Sequence, residues 1–231
     1  DPDGTVKYVF ALADGGRIET VLLKDGERRT LCVSTQAGCA MGCVFCATGR
    51  IRFSRNLTAA EITDQVKIVQ KDCGRISNVV YMGMGEPLAN YDAVLKSVRI
   101  LNHPEGKNIG IRHITISTVG LPDQIRRLAD EDIYPRLAVS LNAPNDAIRS
   151  KLMPVNSKYP IAKLFAAVDF YCQKTGNRVT FEYILIKRIN DTVLHAKLLA
   201  KLLRGRMCNV NLIEFNPHEG CELSSGGREA A

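Results

Sequence analysis

The sequence predicts an α/β fold, a partial (β/α)6 barrel preceded by a small antiparallel β lead-in. Two observations carry this prediction. From about residue 31 to residue 215, short apolar runs alternate with amphipathic segments, as parallel strands covered by helices require. Before that, glycine turns at Gly15-Gly16 and Asp25-Gly26 separate strand-like stretches over 6–12, 17–23 and 30–34, the pattern of an antiparallel meander.

Six barrel strands are expected, at residues 31–34, 78–82, 113–117, 137–141, 179–186 and 210–215. A helical segment follows each of the first five. After the first strand, Thr58 and Glu61 form a capping-box pattern, and Ala59, Ile62, Val66, Val69 and Cys73 recur at steps of three and four, which gives the helix one buried face. The next faces are Tyr91, Val94, Leu95 and Val98; Ile125 and Leu128; Ile161, Leu164, Phe165, Val168 and Cys172; and Leu194, Leu198 and Leu202. Pro87, Pro122, Pro160 and Asp191 mark the helix starts. On the fifth strand Glu182 shares a face with Thr180 and Ile184, opposite Val179, Phe181, Tyr183 and Leu185. If the aromatic face meets the helices, Glu182 points into the barrel, where a carboxylate must be hydrogen bonded or paired. Cys73, Cys172 and Cys208 read as packing residues.

No repeat, low-complexity tract or Pro-rich linker interrupts residues 30–215, and 231 residues suffice for one domain with a core. The expected organisation is a β extension over 1–30, a core barrel over 31–220 and the start of a further segment over 221–231. The residues after Gly226-Gly227 read as a first helical turn, so the chain is expected to be a piece of a longer protein. No run of ~18 apolar residues occurs and the N-terminus lacks a basic or apolar leader, which points to a cytoplasmic protein without membrane association. The formal net charge of +7 leans toward an anionic partner such as nucleic acid. Eight cysteines are too few for a disulfide scaffold of this length.

Parallel barrels carry their chemistry in the loops after the strands. The loop after the first strand reads Gly38-Cys39-Ala40-Met41-Gly42-Cys43-Val44-Phe45-Cys46, a C-x3-C-x2-C spacing. Structural zinc needs four ligands, and no further Cys or His follows within a dozen residues. A [4Fe–4S] cluster normally takes four cysteines, so three leave one iron open to an outside ligand. Gly38, Gly42 and Gly49 make this a loop rather than a packed element, which disfavours a chance clustering of core thiols.

The cysteine spacing resembles the radical S-adenosylmethionine superfamily. With it stand Cys32-Val33-Ser34-Thr35-Gln36, Arg55-Asn56-Leu57-Thr58, Met82-Gly83-Met84-Gly85-Glu86-Pro87, Ser117-Thr118-Val119-Gly120 and Asn211-Leu212-Ile213-Glu214-Phe215-Asn216-Pro217. Together these are similar to the RlmN and Cfr family of RNA adenine methyltransferases, over residues 18–220. The resemblance implies a radical SAM barrel in which Cys39, Cys43 and Cys46 hold a [4Fe–4S] cluster whose open iron binds S-adenosyl-L-methionine. It implies cofactor contacts at Gly85, Glu86, Ser117, Ser140, Leu141, Asn142 and Asn216. Many members have His where this chain has Asn142; Asn keeps the hydrogen bonding and removes any acid–base role.

The resemblance also implies that a radical formed from the cofactor takes hydrogen from a methyl group carried on a C-terminal cysteine, and that the resulting carbon radical adds to the base. Cys32 would then resolve the adduct by forming a disulfide with the carrier, and Glu19 would accept the proton from the substrate carbon. By the residues alone, Cys32 is a small apolar strand residue and Glu19 a solvated one. The implied substrate is an adenosine of 23S rRNA at C2, with transfer RNA as a second one. The alternatives are the Cfr-like C8 reaction that confers antibiotic resistance, and a non-methylating iron–sulfur or zinc protein that binds RNA or transfers electrons. Residues 151–156 fit either methylating branch. An external donor such as flavodoxin or ferredoxin and a monomeric state complete the expectation. The carrier's Ala-Cys-Gly setting does not occur here, and Cys221 does not match it, so this piece alone is expected not to complete methylation.

Overall fold

A computed structural model describes residues 4–226 of the chain; the helical turn expected after Gly227 lies outside them. The chain packs as two compact units. The first holds the residues up to Ala40, Ile51–Ser117 and Asp132–Arg136, and the second holds Met41–Arg50, Thr118–Glu131 and the residues from Leu137 onward.

In the first unit, β1 (Val6–Ala11), β2 (Arg17–Asp25) and β3 (Arg28–Cys32) form the expected antiparallel lead-in, with Phe10 opposite Ile18 and Leu22 opposite Leu31. Along β2 the alternation is strict: Ile18, Thr20 and Leu22 are buried while Arg17 and Glu19 are exposed, as a strand with one covered face requires. Two short strands follow, β4 (Gln36–Ala37) and β5 (Arg55–Asn56), and then α1 (Ala59–Cys73). Thr58 and Glu61 make the full capping box, and α1 buries Ala59, Ile62, Gln65, Val66 and Val69. After it come β6 (Asn78–Tyr81), α2 (Tyr91–Asn102) and β7 (Ile114–Thr118). Strand β3 serves twice, because its other edge pairs in parallel with β6, which in turn pairs in parallel with β7. The lead-in and the parallel sheet are therefore continuous in this unit.

The second unit contains α3 (Pro122–Leu128), most of β8 (Arg136–Ser140), α4 (Asp146–Leu152), α5 (Ile161–Thr175), β9 (Val179–Leu185), α6 (Val193–Leu203) and β10 (Cys208–Glu214). Strands β8, β9 and β10 run parallel, with Val139 opposite Phe181 and Phe181 opposite Val210. Helix α5 packs on this sheet through Phe165 and Phe181, whose ring centroids lie 5.2 Å apart. Burying such side chains contributes ~1.5–3 kcal/mol each.

Between β8 and β9 the structure has two helices where the sequence pattern suggests one. The extra helix, α4, is seven residues long and is capped by the Asn145 side chain, which accepts from Ile148 N at 2.9 Å. Glu182 is buried, as its face of β9 implies, and Oε2 accepts from Asn211 Nδ2 at 2.7 Å. Burial pushes its carboxyl up, and the Asn211 bond opposes that. Cys73, Cys172 and Cys208 are half-buried rather than core residues. Among the described residues no helix is long and apolar enough to cross a membrane.

Candidate functional site

In the first unit the base of the cysteine loop is tied before any ligand arrives. The antiparallel pair of β4 and β5 places Gln36 opposite Asn56 and Ala37 opposite Arg55. Ser54 N donates to Ala37 O at 2.8 Å, and Cys39 N donates to Ile51 O at 3.3 Å. Arg55 then clamps the closed loop to α1: Nη1 and Nη2 donate to Glu61 Oε2 and Oε1 at 2.9 and 2.7 Å, and Nε pairs with Asp14. The Arg55 hydrogen bonds hold the Glu61 carboxyl down at about 2. Glu61→Gln is expected to cost about 1–2 kcal/mol at neutral pH, since it breaks a forked ion pair at a helix N-terminus. A carboxylate depressed in the folded state stabilises only above its unfolded value. The wild-type advantage, read by urea unfolding, should hold above pH 4.5 and be lost as pH falls toward about 2.

The turn after β6 carries Gly85 and Glu86. Gly85 has φ of +102°, and a Cβ there would stand 2.5 Å from Gln36 Cβ, so only glycine fits. Glu86 N donates to Gln36 Oε1 at 2.9 Å. The Glu86 carboxylate is buried, and Oε1 accepts from Leu88 N at 3.0 Å to cap the short 3-10 turn Pro87–Asn90. It thus has a structural job besides the cofactor contact expected of it. Ser117 is half-buried near the end of β7, on the face opposite Ile114, Ile116 and Thr118.

Three polar residues that sequence reasoning did not single out hold these loops together. Gln36 joins the loop base to the glycine turn, donating to Asn56 Oδ1 at 2.8 Å. Gln65 exchanges two hydrogen bonds with the Ser34 backbone, at 2.8 and 2.9 Å. Asn90 Nδ2 donates to the carbonyls of Thr35 and Leu57 at 2.9 and 2.8 Å. Gln65 left a signal, a polar residue inside the apolar stripe of α1; Gln36 stood only within the segment 32–36 that carries the resemblance, and Asn90 left none.

Cys32 ends β3, opposite Val21 on one side and Val80 on the other. Its apolar surroundings push the thiol up to about 11, with the Met82 backbone opposing the shift. Below pH 11 the thiolate fraction rises tenfold per unit, so alkylation of Cys32 by iodoacetamide should still be accelerating at pH 10. An ordinary thiol, titrating near 8.5, levels off earlier. Glu19 lies exposed on β2, and its Oε1 pairs with Lys7 Nζ at 3.1 Å. Its backbone is fixed more firmly than its side chain: the carbonyl accepts from Ser34 Oγ at 2.5 Å.

In the second unit, Cys43 is buried in a cluster with Leu152, Met153, Ile186 and Phe215. Cys46 N donates to Cys43 O at 3.1 Å, Gly49 N to Cys46 O at 3.0 Å, and Val44 N to Leu152 O at 3.0 Å, so the loop is turned on itself and docked on the end of α4. Phe215, anchored in the same cluster, leaves the adjoining Asn216 exposed. At the end of β8, the N–H groups of Leu141 and Asn142 both donate to Glu182 O, at 3.0 and 3.2 Å. Asn142 takes φ of +55°, and its amide is committed to the protein. Oδ1 accepts from Ile184 N at 2.9 Å, and Nδ2 reaches Met153 Sδ at 3.5 Å. The side chain on which a cofactor contact was expected therefore joins β8 to β9. Ser140, half-buried, precedes it.

The donor type suits an iron–sulfur cluster: three thiols within eight residues of sequence. None of the eight cysteines is in a disulfide, so the bond implied for Cys32 is not made within the described chain. Among the described residues no three His, Cys, Asp or Glu side chains are grouped to hold a metal ion.

The sequence profile of the radical SAM superfamily matches residues 33–199. A probable dual-specificity RNA methyltransferase RlmN of Dictyoglomus thermophilum is 54% identical over 216 residues, which are 92% of this chain and 62% of that protein. The protein of the same name from Thermus thermophilus is 51% identical over 226 residues, 96% of this chain and 64% of its own length. The chain thus spans about three fifths of these curated relatives. A crystal structure of a radical SAM methyltransferase from Sphaerobacter thermophilus superposes with a TM-score of 0.96 at 50% identity, covering 100% of this chain and 69% of that one. TYW1, 16% identical with a TM-score of 0.57, shares the fold alone. The mixed α/β architecture with its antiparallel lead-in is the radical SAM fold, and the chain belongs to the radical SAM superfamily, beside its RlmN-named members.

Proposed function

We propose that the chain is the radical SAM portion of an RNA methyltransferase that modifies an adenosine of 23S rRNA at C2 and acts on transfer RNA as well. The observation that carries this is the 54% identity to a relative named as a dual-specificity RNA methyltransferase, over 92% of the chain. Adenine C2 is an electron-poor ring carbon without a lone pair, so displacement on a sulfonium methyl group cannot reach it. When bound, the [4Fe–4S] cluster and S-adenosyl-L-methionine supply the one-electron chemistry that can.

The chain's residues would divide the work as follows. Cys39, Cys43 and Cys46 hold the cluster. Gly85 lets the backbone approach the cofactor, and Glu86 receives its amino group. Ser117, Ser140, Leu141, Asn142 and Asn216 complete the cofactor contacts, and Asn142 must loosen a bond to the protein to do so, since its amide, its N–H and its carbonyl are all engaged. Cys32, protonated at rest, would lose its proton to solvent and attack the carrier sulfur, so that the S–S bond forms as the carrier's C–S bond to the modified base breaks and that electron pair leaves with the product carbon. Glu19 must leave Lys7 to take a proton from the substrate carbon, and a partly exposed ion pair of this kind contributes only ~0–1 kcal/mol. The target base has to be turned out of its stack to reach such a site. A reductant of the flavodoxin or ferredoxin class, a monomeric state and a cytoplasmic location belong to the same proposal.

Nucleoside mass spectrometry of rRNA and tRNA from a strain lacking the gene, with and without the full-length gene restored, tests this. 2-Methyladenosine should return in both RNAs. Restoration of 8-methyladenosine alone would overturn the C2 assignment.

A further inference from the structure

Strands β8, β9 and β10 turn their Phe181 face toward α5, and their opposite face is unlike that of an ordinary parallel sheet. Parallel strands are usually apolar on both sides. Here the opposite face carries Ser140, Thr180, Glu182, Asn209 and Asn211, and the register sets Ser140, Glu182 and Asn211 side by side in one row. Ser140 is the last residue of β8, so the row lies at the carboxyl-terminal end of that strand, the end at which parallel α/β sheets bind ligands.

The centre of the row is a carboxylate that the protein does not fully use. Glu182 is 7% exposed, and among the described residues its side chain has one hydrogen bond, from Asn211 Nδ2 to Oε2 at 2.7 Å. Oε1 is left over, and no cation among the described residues pairs with it. A glutamine would accept the Asn211 bond equally well without the cost of burying a charge. A buried carboxylate with an open oxygen calls for a donor from outside the chain. The flanking groups narrow that donor. The Ser140 hydroxyl and the Asn211 amide are neutral, and each can both donate and accept. Such a row suits adjacent hydroxyls, which also do both, better than an ammonium group, which only donates.

We propose that Glu182 receives the vicinal 2′- and 3′-hydroxyls of the cofactor's ribose, between Ser140 on one neighbouring strand and Asn211 on the other. A carboxylate on a nucleoside hydroxyl is a recurrent device at the strand ends of α/β proteins. The inference rests on the assignment of S-adenosyl-L-methionine as the cofactor, and it adds a residue of β9 to the contacts assigned on β8.

Equilibrium dialysis on the anaerobically reconstituted full-length protein tests this with two probes, S-adenosyl-L-methionine and its 2′-deoxy analogue. Glu182→Gln keeps the volume and the oxygen for Asn211 but removes the charge. Wild type should bind the analogue about tenfold more weakly than the cofactor, as the loss of one charge-assisted hydrogen bond implies. Glu182→Gln should bind the cofactor about tenfold more weakly than wild type does, and the analogue within about twofold of wild type. Equal affinity of wild type for the two probes, or the same preference in Glu182→Gln as in wild type, overturns the assignment. An unchanged cofactor affinity with weakened binding of an adenosine-containing RNA oligonucleotide gives the carboxylate to the substrate's ribose and overturns it too. If circular dichroism shows that Glu182→Gln does not fold, a crystal structure of the loaded wild type decides. A ribose hydroxyl within ~3.2 Å of a Glu182 oxygen supports the assignment, and any other group in that place overturns it. If wild type binds no S-adenosyl-L-methionine, the cofactor assignment fails and this inference with it, an outcome distinct from a cofactor held without regard to residue 182.

Discussion

Cys43→Ala in the full-length protein should abolish the iron–sulfur absorption that follows anaerobic reconstitution, while Cys73→Ala should leave it unchanged. The two thiols differ in what the backbone does around them. Cys43 sits in a turn closed by Cys46 N and pinned to α4 by Val44 N, so its direction is set before iron arrives. Cys73 ends α1 and its thiol contacts its own neighbour, Gly74 O, at 3.5 Å. If Cys39, Cys43 and Cys46 are the ligands, as proposed, the loss of one leaves too few thiolates to retain four irons, and iron content should fall by roughly an order of magnitude. Removing the Cys43 side chain leaves only a small cavity, about 1 kcal/mol, so the variant should still fold. A Cys43→Ala protein with a full cluster spectrum, or a Cys73→Ala protein without one, would sink the ligand assignment.

The parallel strands were legible because their signal is local. Residues 179–186 read as a strand with two different faces, and β9 is indeed buried on both, at Phe181 and at Glu182. The capping box at Thr58 and Glu61 was equally plain. What the sequence could not display is where a polar side chain finds its partner. Glu61 shows its cap in the sequence, but its stronger bond is to Arg55, which depends on the loop between them being closed by β4 and β5. Arg149 looks like any basic residue on a short polar helix. It is buried because Val119, Ser140 and Leu141, all from earlier in the chain, present carbonyls to it. Helix α4 itself escaped notice because seven residues carry too few apolar positions to display a period.

The site residues divide along the same line. Cys39, Cys43 and Cys46 stand out by spacing alone. Asn142 stood out only through the resemblance, and its amide proves to be joining Ile184 to the end of β8. The roles of Cys32 and Glu19 also came from the resemblance. Their surroundings add constraints that chemistry must meet, a protonated thiol in one case and a lysine partner in the other.

Gly85→Ala is expected to destabilise the chain strongly and to reach the cofactor turn as well. Two costs combine. At φ of +102° a side chain strains the backbone, ~1–3 kcal/mol. The new Cβ would also stand 2.5 Å from Gln36 Cβ, 2.7 Å from its Cγ and 2.8 Å from its Oε1. Gln36 cannot swing away, because Nε2 donates to Asn56 Oδ1 and Oε1 accepts from Glu86 N, so overpacking adds ~1–3 kcal/mol. Gly74→Ala is the control: φ there is +77°, but nothing lies within 4 Å, so it meets the strain without the collision. Gly85→Ala should therefore lose about 3 kcal/mol or more in urea unfolding, and Gly74→Ala only its backbone strain, ~1–3 kcal/mol, without the collision. The variant protein relieves the collision by moving either Gln36 or the turn. Either movement breaks the Glu86 N to Gln36 bond and displaces Glu86, so equilibrium dialysis should find S-adenosyl-L-methionine binding weakened at least tenfold in whatever fraction folds. Equal losses of stability in the two variants would mean that Gln36 yields freely, and the rigid turn assigned to the cofactor would have to be abandoned.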